Sequence, residues 1–160
     1  MRVDHSVLPP FLPEGARVLI LGSFPSVKSR EEGFYYAHKS NRFFPVLATL
    51  FDEDTPLSTL ERKRFLVRHK IALYDVLFSC DIENSKDGSI RDPVPIDLPS
   101  LKRKLSPEMI FTTGKAAETY FRKFFSDPFL PLPSTSAANA SFSLERLLAI
   151  YRERLLPFLS

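Results

Sequence analysis

RVLILGSFPS, Arg17 to Ser26, is an aliphatic run closed by glycine and followed by a turn of small residues. Val18 to Leu21 carries no polar side chain to face water, so both faces need cover, as in an inner strand of a parallel sheet. Three further segments read as strands: Ile71 to Leu77, Met109 to Thr113 and Phe129 to Leu132. Helical spacing fills the gaps between them. Asn41 can cap a helix with apolar positions Phe44, Leu47, Ala48 and Phe51, and Ser58 caps one running to about His69. Leu98 to Leu105 is a short basic helix, Gly114 opens one through Phe125, and Ser143 caps Leu144 to Leu156, which stops before Pro157. Strands alternating with helices predict an α/β fold. It is a single three-layer domain spanning residues 1–160, with a central, mostly parallel four-stranded sheet flanked by helices. Cys80 to Pro99, rich in Asp, Asn, Gly and Pro, predicts a surface loop.

Composition narrows the classes. The chain has 160 residues, 22 Lys and Arg against 19 Asp and Glu, and a net charge of +3 with neutral histidine. That mild excess is compatible with a polyanionic partner without requiring one. A single cysteine, Cys80, excludes an internal disulfide and a four-cysteine iron–sulfur cluster. No metal-ligand spacing, nucleotide-phosphate motif or nucleophile elbow occurs, so neither a metal nor another cofactor is expected. The N-terminus has no leader pattern and no run is long enough to cross a bilayer, which points to a cytoplasmic protein with no membrane partner.

Two loops carry the chemistry. Ligands of open parallel sheets bind outside the carboxyl ends of the strands, where GSFPS lies. GFYYAHKSNRFF, Gly33 to Phe44, follows it with aromatic rings, a histidine, a carboxamide and two cations, a set able to stack on and read a planar ring. LPLPSTSAANAS, Leu130 to Ser141, repeats the order of apolar residues, small hydroxyl residues and then asparagine. The two loops can form opposite walls of one pocket.

In order along the chain, GSFPS, YYAHKSNRFF, IALYDVLFSC and LPSTSAANA resemble the hypoxanthine-DNA (deoxyinosine) glycosylases of the uracil-DNA glycosylase superfamily. The resemblance runs from about Arg17 to the C-terminal helix. YAHxxNRFF is also similar to the mismatch-specific uracil/thymine glycosylases, whereas LPSTSAANA points to the hypoxanthine branch. The resemblance implies a monofunctional enzyme, working as a monomer of prokaryotic type on nucleoid DNA. It would remove deaminated bases, chiefly hypoxanthine, from double- or single-stranded DNA by base flipping and water attack. A uracil or mismatch glycosylase and a non-catalytic damaged-DNA-binding module are the alternatives.

By the same resemblance Tyr36 stacks on the extruded base, Gly22, Ser23, Phe24 and Pro25 line its pocket, and Phe43 and Phe44 belong to the core; read on their own, Tyr35, Tyr36, Phe43 and Phe44 are ordinary core rings. Asn41 takes the water-orienting role, because Phe24 stands where mismatch-specific relatives carry asparagine. Its alternative is the helix cap. Asn139 is the second candidate catalytic residue, and Ser134, Thr135 and Ser136 grip DNA, unless they form an ordinary strand-to-helix turn. His38 and Arg42 are candidate DNA contacts. Leu132 stands where uracil-specialised relatives carry histidine. Asp75 either activates water or caps a turn, and the cap is preferred.

Overall fold

The computed structural model describes residues 1–83 and 89–159. Along the chain run β1 (Arg2–Asp4), β2 (Val18–Gly22), α1 (Val27–Glu32), α2 (Phe43–Leu50), α3 (Thr59–Arg68), β3 (Ile71–Asp75), β4 (Leu77–Asp81), β5 (Arg91–Pro95), α4 (Leu98–Leu105), β6 (Met109–Thr113), α5 (Lys115–Phe124), β7 (Phe129–Leu132) and α6 (Leu144–Arg154). Four strands form a parallel sheet in the order β3-β2-β6-β7. All positions of β2 and β3 are buried, which is why their sequences show no polar alternation. Because β3 lies on one side of β2 and β6 on the other, the chain reverses its direction of travel across the sheet at β2. Such a reversal opens a crevice at the carboxyl ends of the strands it separates, here at Gly22 and Thr113.

The expected strand Ile71 to Leu77 is two strands that part company at Val76. Through Asp75 the chain belongs to the parallel sheet, and from Leu77 it joins a second, antiparallel sheet of order β1-β4-β5. The Val76 and Leu77 amides donate to the Gly22 and Ser23 carbonyls, so the departing chain stays tied to the turn after β2. The second sheet also corrects the reading of Cys80 to Pro99 as loop: β4 extends to Asp81, and Arg91–Pro95 is a strand despite two prolines. β5 lies at the edge of its sheet, where a missing N–H is tolerated. Residues 84–88 of that expected loop lie outside the described residues.

Ser58 and Ser143 cap α3 and α6 as their positions imply, accepting from the Glu61 and Arg146 amides. A further short helix, α1, is capped by Ser26, whose backbone is ordinary extended chain, and closed by Gly33 at φ 76°, a left-handed conformation natural to glycine. The core is strongly aromatic, with Phe43, Phe44, Phe65, Phe111, Phe121 and Tyr151 fully enclosed. The Tyr151 hydroxyl donates to the Pro133 carbonyl at 2.7 Å, so α6 fixes the start of the last motif loop as well as filling the core.

The orientation of α6 gives a test. Leu147 is completely buried, whereas Leu144 is 43% exposed. Leu147→Ala is expected to lower the free energy of unfolding by about 2–5 kcal/mol and Leu144→Ala by less than about 0.5 kcal/mol, read by chemical denaturation. Equal losses would contradict this docking of the helix.

Candidate active site

Gly22 ends β2 directly beside Asp75 of β3 in the parallel register. The approach is close: a β-carbon at Gly22 would lie 2.5 Å from Asp75 Oδ1, so only glycine leaves room for the carboxylate. The other carboxylate oxygen, Oδ2, meets His5 Nε2 at 2.8 Å, and His5 Nδ1 meets the Leu8 carbonyl at 2.5 Å. His5 sits in a 3-10 turn just after β1, so the small antiparallel sheet carries this imidazole to the floor of the crevice. Asp75, expected to cap a turn or activate water, is paired with a buried histidine and lines the crevice.

The second motif begins with two core rings. Phe34 and Tyr35 are buried, and the Tyr35 hydroxyl donates to the Pro9 carbonyl. Tyr36 differs. Its backbone is left-handed at φ 54°, which turns the ring onto Phe43 in a parallel stack with centroids 3.8 Å apart and planes 11° from parallel. Its hydroxyl meets Thr113 Oγ1 at 3.0 Å, and the half-buried ring lines the crevice. Tyr36 is therefore both core and wall. Burial, aided by the negative charge of Asp75, pushes the Tyr35, Tyr36 and Tyr74 phenols upward, so all three remain O–H groups at neutral pH.

Asn41 and Arg42 join this loop to the last motif. Asn41 Oδ1 accepts from the Phe43 amide at 2.9 Å and from the Thr135 hydroxyl at 2.8 Å. The Phe43 N–H can only donate, which identifies the oxygen end of the carboxamide and leaves the NH2 end for the crevice, which Asn41 lines. The N-cap position of α2 is Arg42, not Asn41 as expected; Asn41 holds the first helical amide from one residue further out. Arg42 corrects an expectation. Read as a phosphate contact, it turns its guanidinium inward, donating to the carbonyls of Thr135, Ser136, Asn139 and Phe142 at 3.4, 2.8, 3.3 and 2.5 Å. Its backbone amide adds a bond to the Thr135 carbonyl.

In the last motif, Thr135 is buried and its side chain is occupied by Asn41. Ser134 and Ser136 accept through their hydroxyls from the Ser136 and Ala138 amides and border the crevice. Asn139 Nδ2 donates to the Ser134 carbonyl at 3.0 Å, bracing the loop from within, and Asn139 is not among the lining residues. His38 is exposed at the rim, where its Nδ1 accepts from the Ser40 amide, so Nε2 is the ring's outward N–H.

These pieces enclose a cavity of about 980 Å³, large enough for a nucleoside-sized ligand. Gly22, Ser23, Phe24 and Pro25 form one side with Asp75 at the floor. Tyr36 and Asn41 form another, and Thr113, Gly114, Ser134 and Ser136 complete the wall. Lys28 and Lys115 stand at its exposed rim, and the Lys28 ammonium is held upward in pKa by Glu32 at 2.8 Å. Sequence reasoning missed His5, Thr113, Gly114 and Lys115. Thr113 and Gly114 carried a signal, since they end the strand beside β2, but His5 carried none. Among the described residues, no three His, Cys, Asp or Glu side chains gather where a metal could be held.

Comparison with known proteins agrees with this geometry. The profile of the Uracil DNA glycosylase superfamily matches residues 9–155. A Methanosarcina acetivorans protein named hypoxanthine DNA glycosylase is 31% identical over 148 residues, covering 86% of this chain and 90% of the relative. A Methanosarcina barkeri protein of the same name is 31% identical over 115 residues, covering 70% and 72%. The solution NMR structure of a Methanosarcina acetivorans protein, described as a candidate uracil DNA glycosylase, superposes with a TM-score of 0.73 at 28% identity, covering 91% of this chain and 95% of that one.

If Arg42 is a clasp between loops, its loss is felt in folding. Arg42→Ala should lower stability by about 2–4 kcal/mol, and Arg42→Lys, which cannot reach several carbonyls at once, should recover only part of it. Thermal unfolding measures both. Parent-like melting of the alanine variant would return Arg42 to the list of outward-facing cations.

Proposed function

The chain belongs to the uracil DNA glycosylase superfamily, and on that premise we propose that it is a monofunctional DNA glycosylase that removes hypoxanthine from DNA. The observation that carries the reading is the meeting, in one cleft, of Tyr36, Asn41 and Asp75, with the oxygen end of the Asn41 carboxamide already engaged. The names of the two Methanosarcina relatives support hypoxanthine as the base.

The chemistry follows from what each group can do. A base inside a duplex is out of reach, so the nucleotide must swing out, at a cost of a few kcal/mol. Stacking on an aromatic ring offsets roughly 1–3 kcal/mol of this. Tyr36 suits that task because Phe43 already backs one of its faces, fixing the ring before the base arrives. Cleavage then breaks the C1′–N9 bond heterolytically. The electron pair leaves with the purine and spreads toward N7, N3 and O6, while positive charge develops on the sugar. Water adds to C1′ and loses its proton to solvent or to the departing base.

Asn41 acts here as a donor. With Oδ1 committed to Phe43 and Thr135, the group it offers is N–H, which can hold a water by its lone pair but cannot take its proton. An electron-poor sugar tolerates this, since a cationic centre accepts neutral water. Asn139 contributes by shaping the loop that faces the substrate, not by touching the reacting atoms. The outward Nε2–H of His38 and the rim cations Lys28 and Lys115 suit phosphate contacts.

Two experiments follow. In the presence of chelator, the protein should release free hypoxanthine from an inosine-containing duplex, leaving an abasic site that breaks only in alkali and no adduct trapped by borohydride. Faster release of uracil from a matched duplex would favour the uracil reading, and tight binding without release of any base would contradict catalysis altogether. Asn41→Asp keeps an oxygen for Phe43 and Thr135 but removes the NH2 group. It should cut single-turnover base release by roughly a hundredfold with little change in melting temperature. Asn41→Ala should add a stability loss of about 1–3 kcal/mol from the two orphaned donors. An aspartate variant as fast as the parent would show that the amide end has no part in the reaction.

A further inference from the structure

The His5–Asp75 pair is deeply placed, with His5 2% and Asp75 5% exposed. Counting hydrogens shows what it imposes. The Leu8 carbonyl can only accept, so His5 Nδ1 carries a proton. The 2.8 Å contact between Nε2 and Asp75 Oδ2 needs one more, held either by the ring or by Oδ2. In both cases Asp75 Oδ1 has no hydrogen. Oδ1 is the oxygen packed over Gly22, and Gly22 and Asp75 both line the cavity.

We propose that His5 is a specificity-determining positioning residue: by occupying Asp75 Oδ2 it keeps Oδ1 at the cleft floor as a hydrogen-bond acceptor only, selecting bases that present a lactam N–H. The inference rests on the reading of the cleft as a base pocket. A lactam such as hypoxanthine offers N1–H to this oxygen, whereas a purine with a bare N1 brings a second acceptor against it. Each mismatch leaves a buried polar atom unpaired, which is how sites built around a hydrogen bond reject analogues that lack it.

The surroundings make the dependence on His5 strong. Facing the pair are Asp4 from the N-terminal segment, Tyr35 and Tyr36 from the loop before α2, and Tyr74 from β3, with Arg30 against the Phe24 ring. The imidazole is walled in by Phe24, Tyr35 and Tyr74 at centroid distances of 5.9, 6.2 and 4.4 Å. Among these groups, His5 alone donates a hydrogen bond to Asp75 in the described contacts. Without it none of these groups holds Oδ2, so a hydrogen on the carboxyl is no longer confined to that oxygen, and an O–H on Oδ1 confronts the lactam N–H.

The test compares inosine with purine 2′-deoxyriboside, the same ring system without the lactam, as single lesions in one duplex, for the parent, His5→Phe and His5→Gln. The parent should favour inosine by roughly tenfold or more in kcat/KM. In His5→Phe this ratio should collapse to within about threefold. His5→Gln can still donate to Oδ2 and should keep the parent ratio. A purely structural role would lower both rates together without moving the ratio. An unchanged ratio in His5→Phe would overturn the proposal, as would a parent that cleaves both bases equally, a result that needs no variant to fold. A parent that releases no hypoxanthine at all would instead overturn the glycosylase reading itself.

Discussion

A single arginine holds the two halves of the cleft together. Arg42 reaches four carbonyls between Thr135 and Phe142, which no other residue type could do from one place, because only guanidinium presents a rigid fan of N–H groups. Those carbonyls belong to a loop with no sheet partner of its own. The same contact line brings Thr135 onto Asn41, and with it fixes which end of that carboxamide faces the cleft. Loop closure, the orientation of Asn41 and the exposure of Ser134 and Ser136 at the wall therefore depend on one side chain whose charge never meets solvent fully.

Beneath that clasp, the parallel sheet supplies the floor. Because β2 pairs with β3 and β6 at once, Gly22, Asp75 and Thr113 arrive at the same level from segments far apart in sequence. Each does something different there: glycine yields space, aspartate offers an acceptor, and threonine tethers the Tyr36 hydroxyl. The break between β3 and β4 at Val76 has a consequence for chemistry as well as topology. It starts the second sheet, and that sheet delivers His5 to Asp75.

The four parallel strands were legible because each is a compact apolar run bounded by glycine, proline or polar residues, and α3 and α6 because their caps and spacing agree. β5 was not, since Arg91–Pro95 looks like loop by composition and is a strand only because β4 offers it an edge. Asn41 and Tyr36 stood out through the chemistry of their loop, yet Tyr36's tie to Phe43 and Thr113 is tertiary and leaves no mark on the sequence. The role of Arg42 was misread for a similar reason: a cation in a loop looks solvent-bound until its carbonyl partners, supplied by a distant segment, are in place. His5 lies outside every motif and becomes visible only when β1 pairs with β4.

The most direct test of the account is a crystal structure of the protein on a duplex carrying a 2′-fluoroarabino-inosine, whose glycosidic bond resists hydrolysis. The account predicts the extruded hypoxanthine flat against the face of Tyr36 opposite Phe43, with N1–H toward Asp75 Oδ1 and Asn41 Nδ2 within hydrogen-bond reach of a water near C1′. A base lodged outside this cleft, or one seated in it with Tyr36 uncovered and Asn41 turned away from the sugar, would contradict it.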